Sequence, residues 1–322
     1  MKVVCELCPK KCALNQGEAG NCRARVNLDG ELVAITYGFP CALHVDPIEK
    51  KPLFHFLPGS RAFSIATAGC NLHCLNCQNW EISQANPDQV RSFRMPPKQV
   101  IRAARKLKCK SIAYTYTDPV IFYEYTLDTS RLAREQGIRN VLVTAGYINH
   151  KPLKELCKYT DAANIDLKGF SDKFYQTVCN ATLRPVLNSL VTAKECGVEV
   201  EVTNLLLPTL NDSDEMISNL CHWVKSNLGE DTPLHFSRFS PRYKMRNLPP
   251  TPIATIEKAR QLAKSAGLKY VYAGNVLNSE WASTFCPGCD KKLVRRAGVS
   301  FLGSKLKNGK CPHCGKAIEG VW

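Results

Sequence analysis

Apolar and polar positions follow two regular patterns between about residue 62 and residue 276. Short runs rich in β-branched or apolar residues are typical of buried strands. Seven such runs are Ala62–Gly69, Ser111–Tyr116, Asn140–Ala145, Ala162–Leu167, Val198–Leu207, Leu234–Phe239 and Tyr270–Ala273. The stretches between them are amphipathic and predict helices, among them Pro97–Leu107, Ser213–Leu228 and Pro252–Ala266.

The repeated order of strand and helix favours a parallel sheet, because parallel neighbours need a crossover that a helix supplies. With six or more units we expect an α/β fold that curls into a partial or full (β/α) barrel, whose reactive groups lie at the carboxyl ends of the strands. We predict three divisions: an N-terminal Cys-rich metal-binding segment at 1–60, the barrel at 61–281 and a C-terminal four-cysteine, zinc-ribbon-like module at 282–322.

The chain has 322 residues and 17 cysteines. No apolar run reaches the length of a membrane span, and the N-terminus lacks the apolar core of a signal peptide. We therefore expect a cytoplasmic protein without a membrane partner, in which cysteines are thiols or metal ligands. Cys196 and Cys221 lie in apolar-periodic stretches and are predicted to be small core residues.

Charge adds little to this picture. The net charge is +15, from 43 basic and 28 acidic residues. Such a balance would suit nucleic acid, an acidic protein or an anionic ligand. The lysines are spread along helix faces with no run of five or more, so an ordinary solvated surface is the favoured interpretation.

Three cysteines follow the first predicted strand with the spacing Cys70-x3-Cys74-x2-Cys77. Thiolates are the usual ligands of iron–sulfur clusters, and a [4Fe–4S] cluster ordinarily takes four. Three ligands leave one iron open, and S-adenosylmethionine (SAM) can bind there through its amino and carboxylate groups. The alternative is a structural zinc site completed by His73 or a distant residue, although zinc knuckles usually close with four nearby ligands.

This motif, followed by Gln78-Asn79, resembles that of the enzymes that activate glycyl-radical proteins, such as pyruvate formate-lyase activase. The chain resembles still more closely the radical SAM member of the AmmeMemoRadiSam system, named for its association with Memo-like and AMMECR-like proteins. The segments that carry this resemblance are Cys5–Pro9, Asp46–Pro52, Tyr114–Pro119, Asn164–Lys168 and Tyr272–Asn275. It implies a radical SAM barrel with a [4Fe–4S] cluster and SAM as cofactors.

The resemblance also implies five residues that contact SAM. Asp118 stands where the family usually has the Glu of a Gly-Gly-Glu-Pro motif, and Thr144 lies at the third strand end. Asp166 and Lys168 match the Asp-x-Lys of the activases, and Tyr243 falls roughly where they place a His near the nucleoside. From the residues alone, Asp166 and Lys168 share one side of a strand and fit a surface ion pair equally well.

Two further cysteine sets flank the barrel. Cys286, Cys289, Cys311 and Cys314 form two Cys-x-x-Cys pairs, which indicate a four-cysteine zinc ribbon, with an auxiliary iron–sulfur cluster as the alternative. This module is rich in basic residues: Lys291, Lys292, Arg295, Arg296, Lys305, Lys307 and Lys310. The N-terminal set is Cys5, Cys8, Cys12 and Cys22. Its spacing fits zinc and a second [4Fe–4S] cluster equally well.

We therefore expect an activase-like radical SAM oxidoreductase. It would draw electrons from an external donor of the ferredoxin or flavodoxin type and act on a protein or a partner-delivered substrate, with Memo-like and AMMECR-like proteins as candidate partners. One alternative is a radical enzyme that modifies tRNA or another nucleic acid, although no RNA-binding signature is present. The other is a non-catalytic zinc-binding interaction protein.

Overall fold

The computed structural model describes residues 1–322 and contains one eight-stranded sheet and three small sheets. The strands are β1 (Val3–Val4), β2 (Ala13–Leu14), β3 (Arg25–Leu28), β4 (Glu31–Ala34), β5 (Ala42–Pro47), β6 (Arg61–Ala66), β7 (Ser111–Tyr114), β8 (Arg139–Thr144), β9 (Ala162–Asp166), β10 (Glu199–Leu206), β11 (Leu234–Arg238), β12 (Val271–Gly274), β13 (Thr284–Phe285), β14 (Lys292–Ala297) and β15 (Ser300–Ser304). The α-helices are α1 (Trp80–Ser83), α2 (Pro97–Lys106), α3 (Tyr123–Glu135), α4 (His150–Cys157), α5 (Asp172–Phe174), α6 (Leu183–Glu195), α7 (Asp214–Leu228), α8 (Ile253–Ser265) and α9 (Ser279–Ala282).

The large sheet runs in sequence order from β5 to β12. Strands β6 to β12 are the seven predicted ones, and all are parallel to their neighbours. The sheet keeps two free edges, at β5 and β12, so it is open rather than a closed barrel. The predicted α/β fold with a mostly parallel sheet is confirmed.

Strand β5 is the one member of this sheet that the sequence analysis does not predict. It pairs antiparallel with β6, from Ala42 opposite Ala66 to Pro47 opposite Arg61. It is a half-exposed edge strand, so it lacks the continuous apolar run of the inner strands. The large sheet therefore begins before residue 60, while the three domain divisions themselves stay a prediction.

The predicted helices form because their apolar residues share one face. In α7, the buried residues Ile217, Leu220 and Val224 recur at helical spacing, as a helix that covers a sheet requires. Ser213 caps its first turn by accepting a hydrogen bond from Met216 N at 3.3 Å. Cys221 lies in this core as predicted, but Cys196 is exposed because α6 ends at Glu195 and Cys196 caps it.

The segment after β5 fills the amino-terminal end of the sheet. Ile48, Leu53 and Phe56 pack against inward-facing residues near the strand starts, which are Ala62, Ala113, Val141 and Ala162. Three of these four are alanines, and their small side chains leave room for the segment. The carboxyl-terminal strand ends lie opposite this plug.

The C-terminal module, β13 to β15 with its cysteines, docks beside β12 on Phe54, Tyr270 and Tyr272. Arg296 of β14 is fully buried, whereas the sequence analysis counts it with the basic residues of the module. Its guanidinium lies 4.4 Å above the Phe54 ring and donates to Thr284 Oγ1 at 2.9 Å.

Membrane crossing is not supported by any helix: none combines the length and the apolar character that a span requires. The expected cytoplasmic location stays a prediction.

Candidate active site

The loop between β6 and α1, residues 67–79, carries Cys70, Cys74 and Cys77, and we call it the cluster loop. It lies at the carboxyl end of the first parallel strand. Two backbone bonds tie it to the π-helical turn Tyr175–Cys179: His73 N donates to Cys179 O at 3.0 Å, and Leu75 N to Val178 O at 2.9 Å. Its three sulfurs are not all within 4.8 Å of one another. This spread suits ligands of different irons in a cluster better than ligands of one ion.

His73 is engaged away from these sulfurs. Its Nδ1 lies 2.7 Å from Gln84 Oε1, and its Nε2 lies 2.9 Å from Asn21 Oδ1. Both ring nitrogens are therefore occupied. This arrangement weakens the alternative in which His73 completes a zinc site.

A fourth thiol, Cys179, lies beside Cys74 and interacts with it through a hydrogen bond. This bond, opposed by burial and aided by the charge of Lys168, lowers the pKa of the Cys74 thiol. Burial, followed by the charge of Asp118, raises the pKa of Cys70. Lys168 is thus within electrostatic reach of the thiol that would bind iron as a thiolate.

Asp166 and Lys168 form an ion pair of 2.8 Å at the carboxyl end of β9. Their side chains are half-buried, 34% and 24% exposed, so the pair is partly shielded from solvent. Burial opposes the charge of Lys168, but the surrounding carboxylate and thiols raise its pKa. The structure brings this pair and the cluster loop together; their contacts with SAM stay a prediction.

Asp118 and Thr144 join the ends of β7 and β8. The buried Asp118 carboxylate accepts bonds from Ala145 N at 2.8 Å, Thr144 Oγ1 at 3.0 Å and Val120 N at 3.1 Å. Burial raises its pKa despite these donors. Four internal contacts, counting the second Thr144 contact of 3.1 Å, engage both oxygens, so the visible role of Asp118 is to fix the two strand ends.

Tyr243 stacks on Trp80, with ring centroids 5.2 Å apart and an angle of 11° between the planes. Lys244 N donates to Leu75 O at 3.0 Å, which anchors the Tyr243 loop to the cluster loop. Tyr243 therefore lies on a loop anchored to the cluster loop, and its visible partner is an aromatic side chain; its contact with the nucleoside stays a prediction.

Comparisons with known proteins agree with this geometry. Residues 64–223 match the model of the radical SAM superfamily. An uncharacterized protein of Methanocaldococcus jannaschii is 48% identical over 320 residues, covering 99% of this chain and 95% of that protein. The pyruvate formate-lyase-activating enzyme of Clostridium pasteurianum is 26% identical over 171 residues, which cover 52% of this chain and 71% of the enzyme. The chain belongs to the radical SAM superfamily.

A solved structure is similar in fold. The radical SAM methyltransferase from Sphaerobacter thermophilus superposes with a TM-score of 0.52 at 15% identity, covering 69% of this chain and 68% of that one. Superfamily membership implies a [4Fe–4S] cluster and SAM, and the three thiols of the cluster loop fit the cluster. The chain is thus an enzyme of the radical SAM type, not the non-catalytic zinc protein held as an alternative.

The C-terminal cysteines of this radical SAM protein form a compact tetrad. All four sulfurs lie within 4.8 Å of one another; Cys286 and Cys314 are 3.5 Å apart, and Cys289 and Cys311 are 3.7 Å apart. A tetrahedral metal ion needs such spacing. The predicted four-cysteine group at this end is confirmed and could bind a metal; whether that metal is zinc or an auxiliary cluster stays a prediction.

Several residues of the radical SAM site escape sequence reasoning. Cys179 has no motif spacing, and Trp80 becomes visible only through its contact with Tyr243. Tyr116 takes a φ of +66°, and its hydroxyl bonds Asp46, which also pairs with the buried Lys51 at 2.7 Å. The only sequence signal for this polar group of Tyr116, Asp46 and Lys51 is the family resemblance of the segment Asp46–Pro52.

Proposed function

We propose that this protein binds a [4Fe–4S] cluster through Cys70, Cys74 and Cys77, which with SAM and one electron would supply a 5′-deoxyadenosyl radical for hydrogen abstraction. The observation that carries the proposal is the position of three thiols and the Asp166–Lys168 pair at the same carboxyl edge of one parallel sheet. Such edges are where barrels of this kind place reactive groups.

The residues of the chain divide the work of binding. The three cysteines hold the cluster and leave one iron without a protein ligand. Lys168, held by Asp166 at 2.8 Å, offers an ammonium to the SAM carboxylate in a charge-assisted contact. Asp118 and Thr144 keep the two strand ends in register beside it, and the Trp80–Tyr243 pair offers an aromatic face for the nucleoside.

We infer that the radical abstracts hydrogen from a protein, or from a substrate that a partner protein delivers. Relatives named as activating enzymes support this inference, including the 4-hydroxyphenylacetate decarboxylase activating enzyme of Clostridium scatologenes, 25% identical over 131 residues. The motif segments support membership of the AmmeMemoRadiSam family, with Memo-like and AMMECR-like proteins as partners. A ferredoxin- or flavodoxin-type protein would supply the electron.

Anaerobic reconstitution tests the proposal. With iron, sulfide, dithionite and SAM, the wild-type protein is expected to release 5′-deoxyadenosine, measured by liquid chromatography and mass spectrometry. Cys74→Ala removes one cluster ligand and is expected to abolish this product, whereas Cys196→Ser, at an exposed position, keeps it. A wild-type protein that binds iron and sulfide but yields no 5′-deoxyadenosine would contradict the proposal.

A further inference from the structure

We propose that Cys5, Cys8, Cys12 and Cys22, here called the N-terminal cysteines, bind a second [4Fe–4S] cluster through which electrons reach the cluster loop. The metal site rests on its own geometry. The relay of electrons rests on the proposed function.

The fold brings the N-terminal cysteines around one cavity. β1 and β2 form a hairpin in which Cys5 N donates to Cys12 O at 2.9 Å and Lys11 N donates to Cys8 O at 3.2 Å. A φ of +44° at Lys11 turns the chain there. Cys22 arrives from the loop before β3, and all four cysteines line the same cavity.

The distances between sulfurs separate a cluster from a single ion. Around one zinc with Zn–S bonds of about 2.3 Å, four sulfurs lie roughly 3.8 Å apart. The C-terminal tetrad meets this condition, but no three of the N-terminal sulfurs lie within 4.8 Å of one another. In a [4Fe–4S] cluster each thiolate binds a different iron, which holds the sulfurs further apart. The N-terminal cysteines share this wider spread with the cluster loop.

Cations and donors line the cavity. Arg25 is 7% exposed, interacts with Cys5 and pairs with Glu124 at 2.7 Å, yet its Nε is buried without a hydrogen-bond partner. Asn21 N donates to Cys12 Sγ at 3.3 Å, and Lys10 lies on the wall. A cluster with four thiolates carries negative charge, which these groups stabilise, and its sulfides offer the acceptor that Arg25 Nε lacks.

The N-terminal cysteines and the cluster loop are in direct contact. Asn71, the residue after Cys70, lines the cavity together with Cys8. At Gly69, with a φ of +98°, an added Cβ would lie 2.3 Å from Cys22 O, so only glycine permits this approach. Electron transfer slows steeply with distance, and this packing keeps the two sites as near neighbours.

Metal analysis of the full chain tests the site. After anaerobic reconstitution we expect about eight irons and eight sulfides in the wild type and about four of each in the triple variant Cys70→Ala, Cys74→Ala, Cys77→Ala. The triple variant should keep a reducible cluster whose electron paramagnetic resonance (EPR) signal does not change when SAM is added. Loss of all iron in this variant, or zinc in place of iron at the N-terminal cysteines, overturns the second cluster.

This design separates the two proposals. If the triple variant loses all iron while the wild type cleaves SAM, the proposed function stands and the second cluster fails. If the triple variant keeps its iron and the wild type cleaves no SAM, the second cluster stands and the proposed function fails.

The relay has its own test in the double variant Cys5→Ala, Cys8→Ala. We expect SAM cleavage driven by reduced flavodoxin to fall by about tenfold or more, while cleavage driven by dithionite changes by less than about twofold. If the double variant cleaves SAM at the wild-type rate with flavodoxin as well as with dithionite, the relay is overturned. An unchanged content of the C-terminal metal shows that the double variant is folded. If the double variant does not fold, the iron content and EPR signal of the triple variant still decide whether the second cluster exists.

Discussion

At the residue scale, Cys179 raises the question of whether the cluster loop has a fourth protein ligand. Its thiol shares a hydrogen bond with that of Cys74. Two thiols in mutual contact are too close to bind two different irons of one cluster. Cys179 is therefore placed to donate a hydrogen bond to the Cys74 thiolate, and hydrogen bonds to sulfur raise the reduction potential of a cluster.

We predict that Cys179→Ala keeps the cluster but makes it harder to reduce. The lost hydrogen bond is worth about 0.5–1.5 kcal/mol, which for one electron corresponds to roughly 20–60 mV toward negative potential. A redox titration of the SAM-sensitive EPR signal measures this shift. Cys74→Ala is the comparison, and loss of iron from Cys179→Ala equal to that from Cys74→Ala would show that Cys179 is itself a ligand.

Sequence reasoning located the site residues better than their contacts. The Asp166–Lys168 pair follows from strand periodicity, because residues two apart share a side. Most of the internal bonds of Asp118 could not be predicted, since Thr144 and Ala145, two of its three donor residues, come from a different strand end. Cys179 escaped for the same reason: only the folded loop brings it to Cys74.

At the scale of elements, buried strands were predictable and the edge strand was not. β6 to β12 are covered by helices on one side and are mostly buried, so each carries the apolar residues that predict a strand. β5 has four half-buried positions, one exposed and one buried over its six residues and ends at Pro47; this mixed composition resembles that of a loop. The docking of β14 was equally hidden, because Arg295 and Arg296 look alike in sequence but only Arg296 is buried.

This neighbouring pair provides a matched test of docking. Arg296→Met is expected to lower the free energy of unfolding by about 3–5 kcal/mol, because it removes the cation beside the buried Glu49, whose Oε1 lies 3.5 Å from Arg296 Nε. Arg295→Met, at an exposed position, should change it by less than about 0.5 kcal/mol. Urea unfolding followed by circular dichroism measures both, and equal effects would refute the docking role.

At the scale of the whole molecule, the cluster loop and the C-terminal cysteine tetrad lie at opposite ends of the large sheet. The cluster loop follows β6 at the carboxyl edge of the sheet. The C-terminal module instead joins the plug at the amino-terminal end, where Val321 N donates to His55 O at 2.7 Å and Leu57 N to Val321 O at 2.7 Å. A metal at the module would stabilise the plug without touching the site.

We therefore expect Cys311→Ser to lose the C-terminal metal, about one zinc per chain if the tetrad holds zinc, and to unfold at a lower temperature, because metal binding supplies the folding energy of such a small module. The rate of SAM cleavage below that temperature should stay within about twofold of the wild type. Removing a residue that supports the ligands of a reactive metal site typically lowers activity by about tenfold or more, so a smaller change would show that the module does not support the cluster loop. Cys196→Ser serves as the control, with both metal content and stability unchanged. Metal analysis, calorimetry and the 5′-deoxyadenosine assay on one preparation give all three values. A variant that loses SAM cleavage while it remains folded would show that the two ends of the sheet are coupled, and the module would then belong to the reaction rather than to the scaffold.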